Sequence, residues 1–228
     1  MKHYAIAIDG PTGAGKSTLA RELSRRLGCT YIDTGAMYRA IGLYVLRKGI
    51  ASDDAENIIP LLPEIRLSIT HDGEGQHIFL NGEDVSDKIR TAEASIYASN
   101  VSKIPEVRAF LLETQRELAR HGSVVMDGRD IGTVVLPDAD VKIFLTASPE
   151  ARAKRRYIEM RGKGQQVDYD SVLRDLLWRD KNDSTRSTAP LKPAEDAVFI
   201  DTTELNFEES VGRAEEIIRE KLGCAVVP

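Results

Sequence analysis

The chain opens on a short apolar run, Tyr4 to Ile8, that ends at once in Asp9-Gly10. A run of that length closed by turn residues predicts a strand buried on both faces of a parallel sheet. The period then changes. Leu19, Leu23 and Leu27 recur at helical spacing between Lys16 and Leu27, and Gly28 stands at the position where a helix is commonly stopped. Thr30 to Asp33 predicts a second short strand, followed by a helix from about Ala36 to Arg47 that ends before Gly49. Val124 to Asp127, Val141 to Leu145 and Val198 to Asp201 read as further buried strands, each followed by polar turn residues and helical sequence. Strands alternating with helices predict an α/β fold in three layers, a five-stranded parallel sheet between helices.

One stretch breaks the rhythm. Arg66 to Thr70 and His77 to Leu80 alternate as strands do, and His71-Asp72-Gly73-Glu74-Gly75 lies between them as a turn. Residues 62–96 therefore read as a small antiparallel insertion within a single domain spanning 1–228. Leu173, Leu176, Leu177 and Trp178 share a predicted helix and are expected in the core.

Composition narrows the classes. The 228 residues suffice for one α/β domain with a sizeable core plus an insertion. A formal net charge of -5 argues against a general nucleic-acid coat, which needs an excess of Lys and Arg. Cys29 and Cys224 have no zinc-ligand spacing and read as reduced thiols. The first residues reach a Gly-Pro turn without a long apolar region, so no secretory signal is expected. No apolar run approaches the ~18 residues of a membrane helix. The expected compartment is the cytoplasm, with no membrane partner.

The chemistry is concentrated in one loop. Gly10-Pro11-Thr12-Gly13-Ala14-Gly15-Lys16-Ser17 matches G-x₄-G-K-[ST] and sits between a predicted strand and a predicted helix. The glycines let successive N–H groups face one anion, and the helix adds its positive dipole end. Lys16 can reach the β- and γ-phosphates of a nucleoside triphosphate, and the Ser17 hydroxyl can ligate Mg²⁺. A carboxylate at a strand end is expected to complete the metal site through a metal-bound water. Asp127 is the first candidate and Asp33 the second, with turn capping as the alternative role of either. Arg152-Ala153-Lys154-Arg155-Arg156 lies on a predicted helix. It reads as a solvated face or as part of a lid over the donor.

Three segments point further. Asp33-Thr-Gly-Ala-Met-Tyr38-Arg39, Asp127-Gly-Arg-Asp130-Ile-Gly-Thr133 and Arg186-Ser-Thr-Ala-Pro-Leu191 resemble the signature segments of bacterial cytidylate kinases. That family transfers phosphate from ATP to CMP or dCMP. The resemblance, from about residue 3 to 222, implies ATP as co-substrate, Mg²⁺, a monomer and no nucleic-acid partner. It assigns Gly10 to Thr18 to ATP. It assigns Thr34 and Arg39 to the acceptor nucleotide, and Ser99, Arg108 and Asp130 to the cytosine edge. Arg179 and Asp183 go to the sugar, and Arg129 and Arg186 to the phosphate. A lid at 150–172, with Gly162 and Gly164 as hinge, would bring Arg155 or Arg161 to the transferring phosphate. Some members read Gly-Lys-Gly-Thr in the loop, so Thr18 stands beside Ser17 as a metal-ligand candidate. A serine is common where this chain has Thr34. The residue types also make sense by themselves: phosphoryl transfer needs positioning and charge neutralisation, and guanidinium groups bind phosphate bidentately. His3, His71, His77 and His121 lie outside all these motifs and read as surface or packing residues.

Thymidylate, shikimate and adenylate kinases share the loop but not the insertion combined with the segment 186–191. A GTPase switch would show Asn-Lys-x-Asp, whereas Lys181-Asn182-Asp183 runs in another order.

Overall fold

The computed structural model describes residues 3–72 and 75–223. Gly73 and Glu74 of the expected turn, and Cys224, lie outside the described residues. The elements run β1 (Ala5–Asp9), α1 (Lys16–Leu27), β2 (Thr30–Asp33), α2 (Thr34–Arg47), α3 (Ala55–Ile58), β3 (Leu67–Asp72), β4 (Gly75–Leu80), β5 (Glu83–Asp84), α4 (Ala92–Val101), α5 (Pro105–Arg120), β6 (Val124–Gly128), β7 (Val141–Thr146), α6 (Pro149–Gly162), α7 (Tyr169–Thr185), β8 (Val198–Asp201) and α8 (Phe207–Leu222). They make a five-stranded parallel sheet in the order β2-β6-β1-β7-β8 and a three-stranded sheet β3-β4-β5. The residues group into two compact units, Met1–Cys29 with Ser123–Pro228, and Thr30–Gly122.

In the first unit β1 is central. It pairs in parallel with β6 (Ile8 opposite Asp127) and with β7 (Ile8 opposite Ile143). Ile6, Ile8, Met126 and Ile143 are almost wholly buried, as strands covered on both faces must be. The register also brings the ends of β1 and β6 level, Asp9 opposite Gly128. Helix α1 has the predicted bounds. It buries Leu19 and Leu23 and ends at Gly28, whose φ of 63° only glycine adopts without penalty. Helix α8 starts in a full capping box, Asn206 with Glu209.

The sequence after β6 departs from expectation. No α-helix follows. Ile131–Val135 instead form one wide π-type turn, and β7 begins six residues later. Trp178 is also not core: it is 44% exposed and Leu177 46%, whereas Val172, Leu176 and Asp183 are buried. The buried stripe of α7 thus runs one position off the apolar face expected from Leu173 and Leu177.

In the second unit α2 buries Met37, Ala40, Ile41 and Val45. A Cβ at Gly42 would lie 2.9 Å from the backbone nitrogen of Ala98, so glycine there permits close packing of α2 on α4. The hairpin pairs Leu67 with Leu80 and Asp72 with Gly75, and the short β5 adds a third strand.

Candidate active site

The loop between β1 and α1 is built by backbone freedom. Gly10, Gly13 and Gly15 all have positive φ. At Gly10 a Cβ would stand 1.9 Å from the Leu145 carbonyl oxygen, so no other residue fits there. The Lys16 ammonium is buried and donates to the Pro11 carbonyl at 2.7 Å, which folds the side chain back over its own loop. Burial, with the Arg129 charge added, brings this ammonium down to about 7, against the pull of Asp127, Asp183 and Asp9.

Ser17 Oγ donates to Asp127 Oδ2 at 2.8 Å. Of the two adjacent hydroxyls, this one meets the carboxylate. A hydroxyl and a carboxylate oxygen beside a phosphate loop are hard oxygen donors and suit Mg²⁺, which keeps most of its shell for water and phosphate. Asp33 in the second unit has different work. It caps α2, accepting from the Ala36 N–H at 2.9 Å, and pairs with Arg39 at 2.8 Å.

Around the loop, two arginines tie it to α7. Arg129 donates through Nη2 to Thr12 Oγ1 at 2.8 Å and through Nε to Asp183 Oδ2 at 2.7 Å. Arg152, 4% exposed, donates to the carbonyls of Thr12 and Ala147, each at 2.8 Å, and pairs with Asp180 at 2.7 Å. Asp180 and Asp183 are three residues apart and so share a face of α7. Thr12 is therefore a node, its hydroxyl taken by one arginine and its carbonyl by the other. Burial alone would raise the Asp183 carboxyl, but Arg129, with Arg186 and Arg179 adding, holds it below the usual carboxylate range. Arg186 is buried, with Nε on the Ala189 carbonyl at 2.7 Å and Nη2 3.4 Å from Asp130 Oδ1.

Arg155 faces elsewhere, donating to Thr202 Oγ1 at 3.0 Å and to the Thr202 carbonyl. Arg152, one turn earlier, is the residue of that cluster that meets the phosphate loop. The sequence reading places Arg152 in an Arg-rich face or lid without a partner of its own, and it does not single out Asp9 or Asp180. Asp9 Oδ1 and Oδ2 accept the N–H groups of Ile131 and Gly132, both at 2.8 Å. Burial pushes the Asp9 carboxyl up to about 6, against those two N–H groups.

In the second unit Thr34 is buried at the start of α2. The Arg108 guanidinium lies 5.5 Å from the Tyr38 ring centre and donates to the Ser102 carbonyl at 3.4 Å. The Ser99 hydroxyl is buried and has no hydrogen-bond partner among the described residues.

A parallel sheet with a Gly-Lys-Ser phosphate loop at the end of its central strand, and arginines around that loop, defines a P-loop kinase. Within that class the chain belongs to the cytidylate kinase family, whose family model matches residues 6–220. It is similar to the cytidylate kinase of Caldicellulosiruptor saccharolyticus, 52% identical over 99% of this chain and 100% of that one. The cytidylate kinase of Caldanaerobacter subterraneus subsp. tengcongensis is 55% identical over 94% of each chain.

Proposed function

We propose that this chain is an ATP-dependent kinase of CMP and dCMP, yielding CDP or dCDP and ADP within pyrimidine nucleotide metabolism. Family membership supports the reaction. The observation that carries the site assignment is Arg129, which is bonded both to Thr12 of the phosphate loop and to Asp183. A guanidinium so held suits the charge passed between donor and acceptor.

Donor and acceptor together bring on the order of six negative charges to one place, so neutralisation is the main task. The attacking group is an oxygen of the acceptor's own phosphate, which needs no general base. Its bond to the γ-phosphorus forms as the bond to the ADP oxygen breaks. Gly10 to Thr18 cradle the donor, and Lys16 releases the Pro11 carbonyl to follow the phosphates. Ser17, and Asp127 through a water, would hold Mg²⁺, which would supply charge neutralisation to the donor's phosphates. Arg129 and Arg186 hold the acceptor phosphate, Arg179 and Asp183 its sugar, and Thr34 and Arg39 the nucleotide. Ser99, Arg108 and Asp130 read cytosine: the guanidinium donates to O2 and N3, and the carboxylate accepts from the amino group. The buried Ser99 hydroxyl without a partner supports this assignment. Residues 62–96 serve as an acceptor-side insertion and 150–172 as a lid within a single kinase domain, with Arg155 joining the catalytic set when the lid closes. The protein works as a monomer in the cytoplasm. None of the helices among the described residues is long and apolar enough to cross a membrane.

The test is ADP release over the common nucleoside monophosphates. CMP and dCMP are expected to be good acceptors and UMP poorer by about tenfold or more. Very slow release is expected without acceptor. Hydrolysis that ignores CMP would instead identify a nucleotide switch and overturn the reading.

A further inference from the structure

Thr12 is engaged at both of its polar ends, by different arginines. Its carbonyl accepts from Arg152 Nη1 and its hydroxyl from Arg129 Nη2, each at 2.8 Å. The loop motif places Thr12 with the donor, and such a loop cradles phosphate through backbone N–H groups. That work makes no demand on the Thr12 side chain. Arg152 is itself held by the Ala147 carbonyl and by Asp180, so the backbone at Thr12 is anchored without help from the hydroxyl. The hydroxyl holds something else, the guanidinium of Arg129.

Arg129 is gripped on three sides. Nε donates to Asp183 Oδ2 at 2.7 Å, Nη1 to the Gly128 carbonyl at 3.2 Å and Nη2 to Thr12. These bonds engage three of the five N–H groups of a planar fork. Nε and Nη2 share one edge of that fork. Acceptors at both fix its plane as well as its place, which Asp183 alone does not. We infer that Thr12 is a positioning residue for the acceptor, its hydroxyl setting the plane in which Arg129 meets the acceptor phosphate, a role that rests on the reading of Arg129 as a phosphate contact. Bidentate binding depends on that plane, because the two N–H groups must reach two oxygens together. One residue of the donor loop thereby serves both substrates, the carbonyl end through the loop and the hydroxyl end through Arg129.

The test uses three variants. Thr12→Val replaces the hydroxyl by a methyl of similar size, and Thr12→Ser keeps the hydroxyl. Arg129→Lys keeps a charge for the buried Asp183 but has no fork. The readout is KM for CMP at saturating ATP, which does not depend on the fraction of active protein. Thr12→Val is expected to raise it about fivefold, with KM for ATP within about twofold of wild type. Thr12→Ser is expected to restore most of the loss. A serine variant as impaired as the valine variant would show that the hydroxyl is not what acts, and would overturn the inference. A raised KM for CMP in Arg129→Lys with an unchanged one in Thr12→Val overturns the inference and keeps the reading of Arg129. An unchanged KM for CMP in Arg129→Lys overturns that reading and the inference with it. The double variant gives a second readout. Thr12→Val should raise KM for CMP no further in the Arg129→Lys background, where no fork is left to orient. Effects that multiply would show that Thr12 acts independently of Arg129, and would overturn the inference.

Discussion

The phosphate loop in the first unit and the surroundings of Ser99 and Arg108 in the second are both rich in polar groups, yet they are wired differently. Around the loop, buried charges are tied into a fixed frame. Lys16 is on Pro11, Arg129 on Thr12 and Asp183, and Arg152 on Thr12, Ala147 and Asp180. In the second unit the charged pairs sit largely at the surface, as in Arg47 and Lys88 with Glu83, Lys48 with Glu64, and His77 with Asp72 and Asp84. Two buried polar side-chain atoms of this unit, Ser99 Oγ and Gln115 Nε2, have no hydrogen-bond partner among the described residues. A triphosphate presents the same charges whatever its base, so a frame set in advance suits it. A base edge is read by groups whose bonds are completed by the ligand itself, and leaving such a group unpaired is how a wrong ligand is rejected.

The comparison breaks first at Lys16. Lys16→Ala should cost on the order of a hundredfold or more in turnover. The melting temperature should stay level or rise, because a buried ammonium is costly to the fold. Steady-state CMP phosphorylation beside a thermal melt checks both; near-normal turnover would remove the loop from catalysis. Ser99→Ala sharpens the other side. It removes a hydroxyl that has no hydrogen-bond partner among the described residues, so stability should hold. KM for CMP should rise by roughly two- to tenfold, the worth of one neutral hydrogen bond. A lower melting temperature with unchanged KM would make Ser99 a structural residue.

The smallest effect is expected at the hairpin. Hydrogen bonding to Asp84, with Asp72 adding, raises the His77 imidazolium above its ordinary value. A group whose value is raised by folding stabilises when protonated. That contribution is complete below the unfolded value and disappears as pH rises through the folded one. His77→Gln should therefore melt slightly below wild type at pH 5.5 and equal it at pH 8. A deficit of the same size at both pH values would assign His77 to packing alone.

What could be read from the sequence was what is local. Lys16 to Leu27, Thr30 to Asp33 and Val198 to Asp201 have the bounds their periodicity implied, and the loop motif fell between strand and helix as its chemistry requires. What escaped was decided by distant partners. Asp9 looks like a turn residue until β1 and β6 are level. Arg152 is indistinguishable in sequence from Arg155 until α6 shows which face meets Thr12 and Asp180. Trp178 was misassigned because three leucines suggested a face, while the buried stripe was chosen by Val172, Leu176 and the charged Asp183. The turn at Ile131–Val135 has no periodic signal, being held by a carboxylate from elsewhere.

The anchoring of Arg152 has a mechanical meaning for α6. Three bonds fix this helix near its first turn, so that end acts as a fulcrum and the other end as the tip of a lever. Ten residues separate Arg152 from Gly162, an arm of about 15 Å at 1.5 Å per residue. A tilt of about 20° at the fulcrum would carry the tip roughly 5 Å, one helical pitch, without disturbing the phosphate loop beneath it.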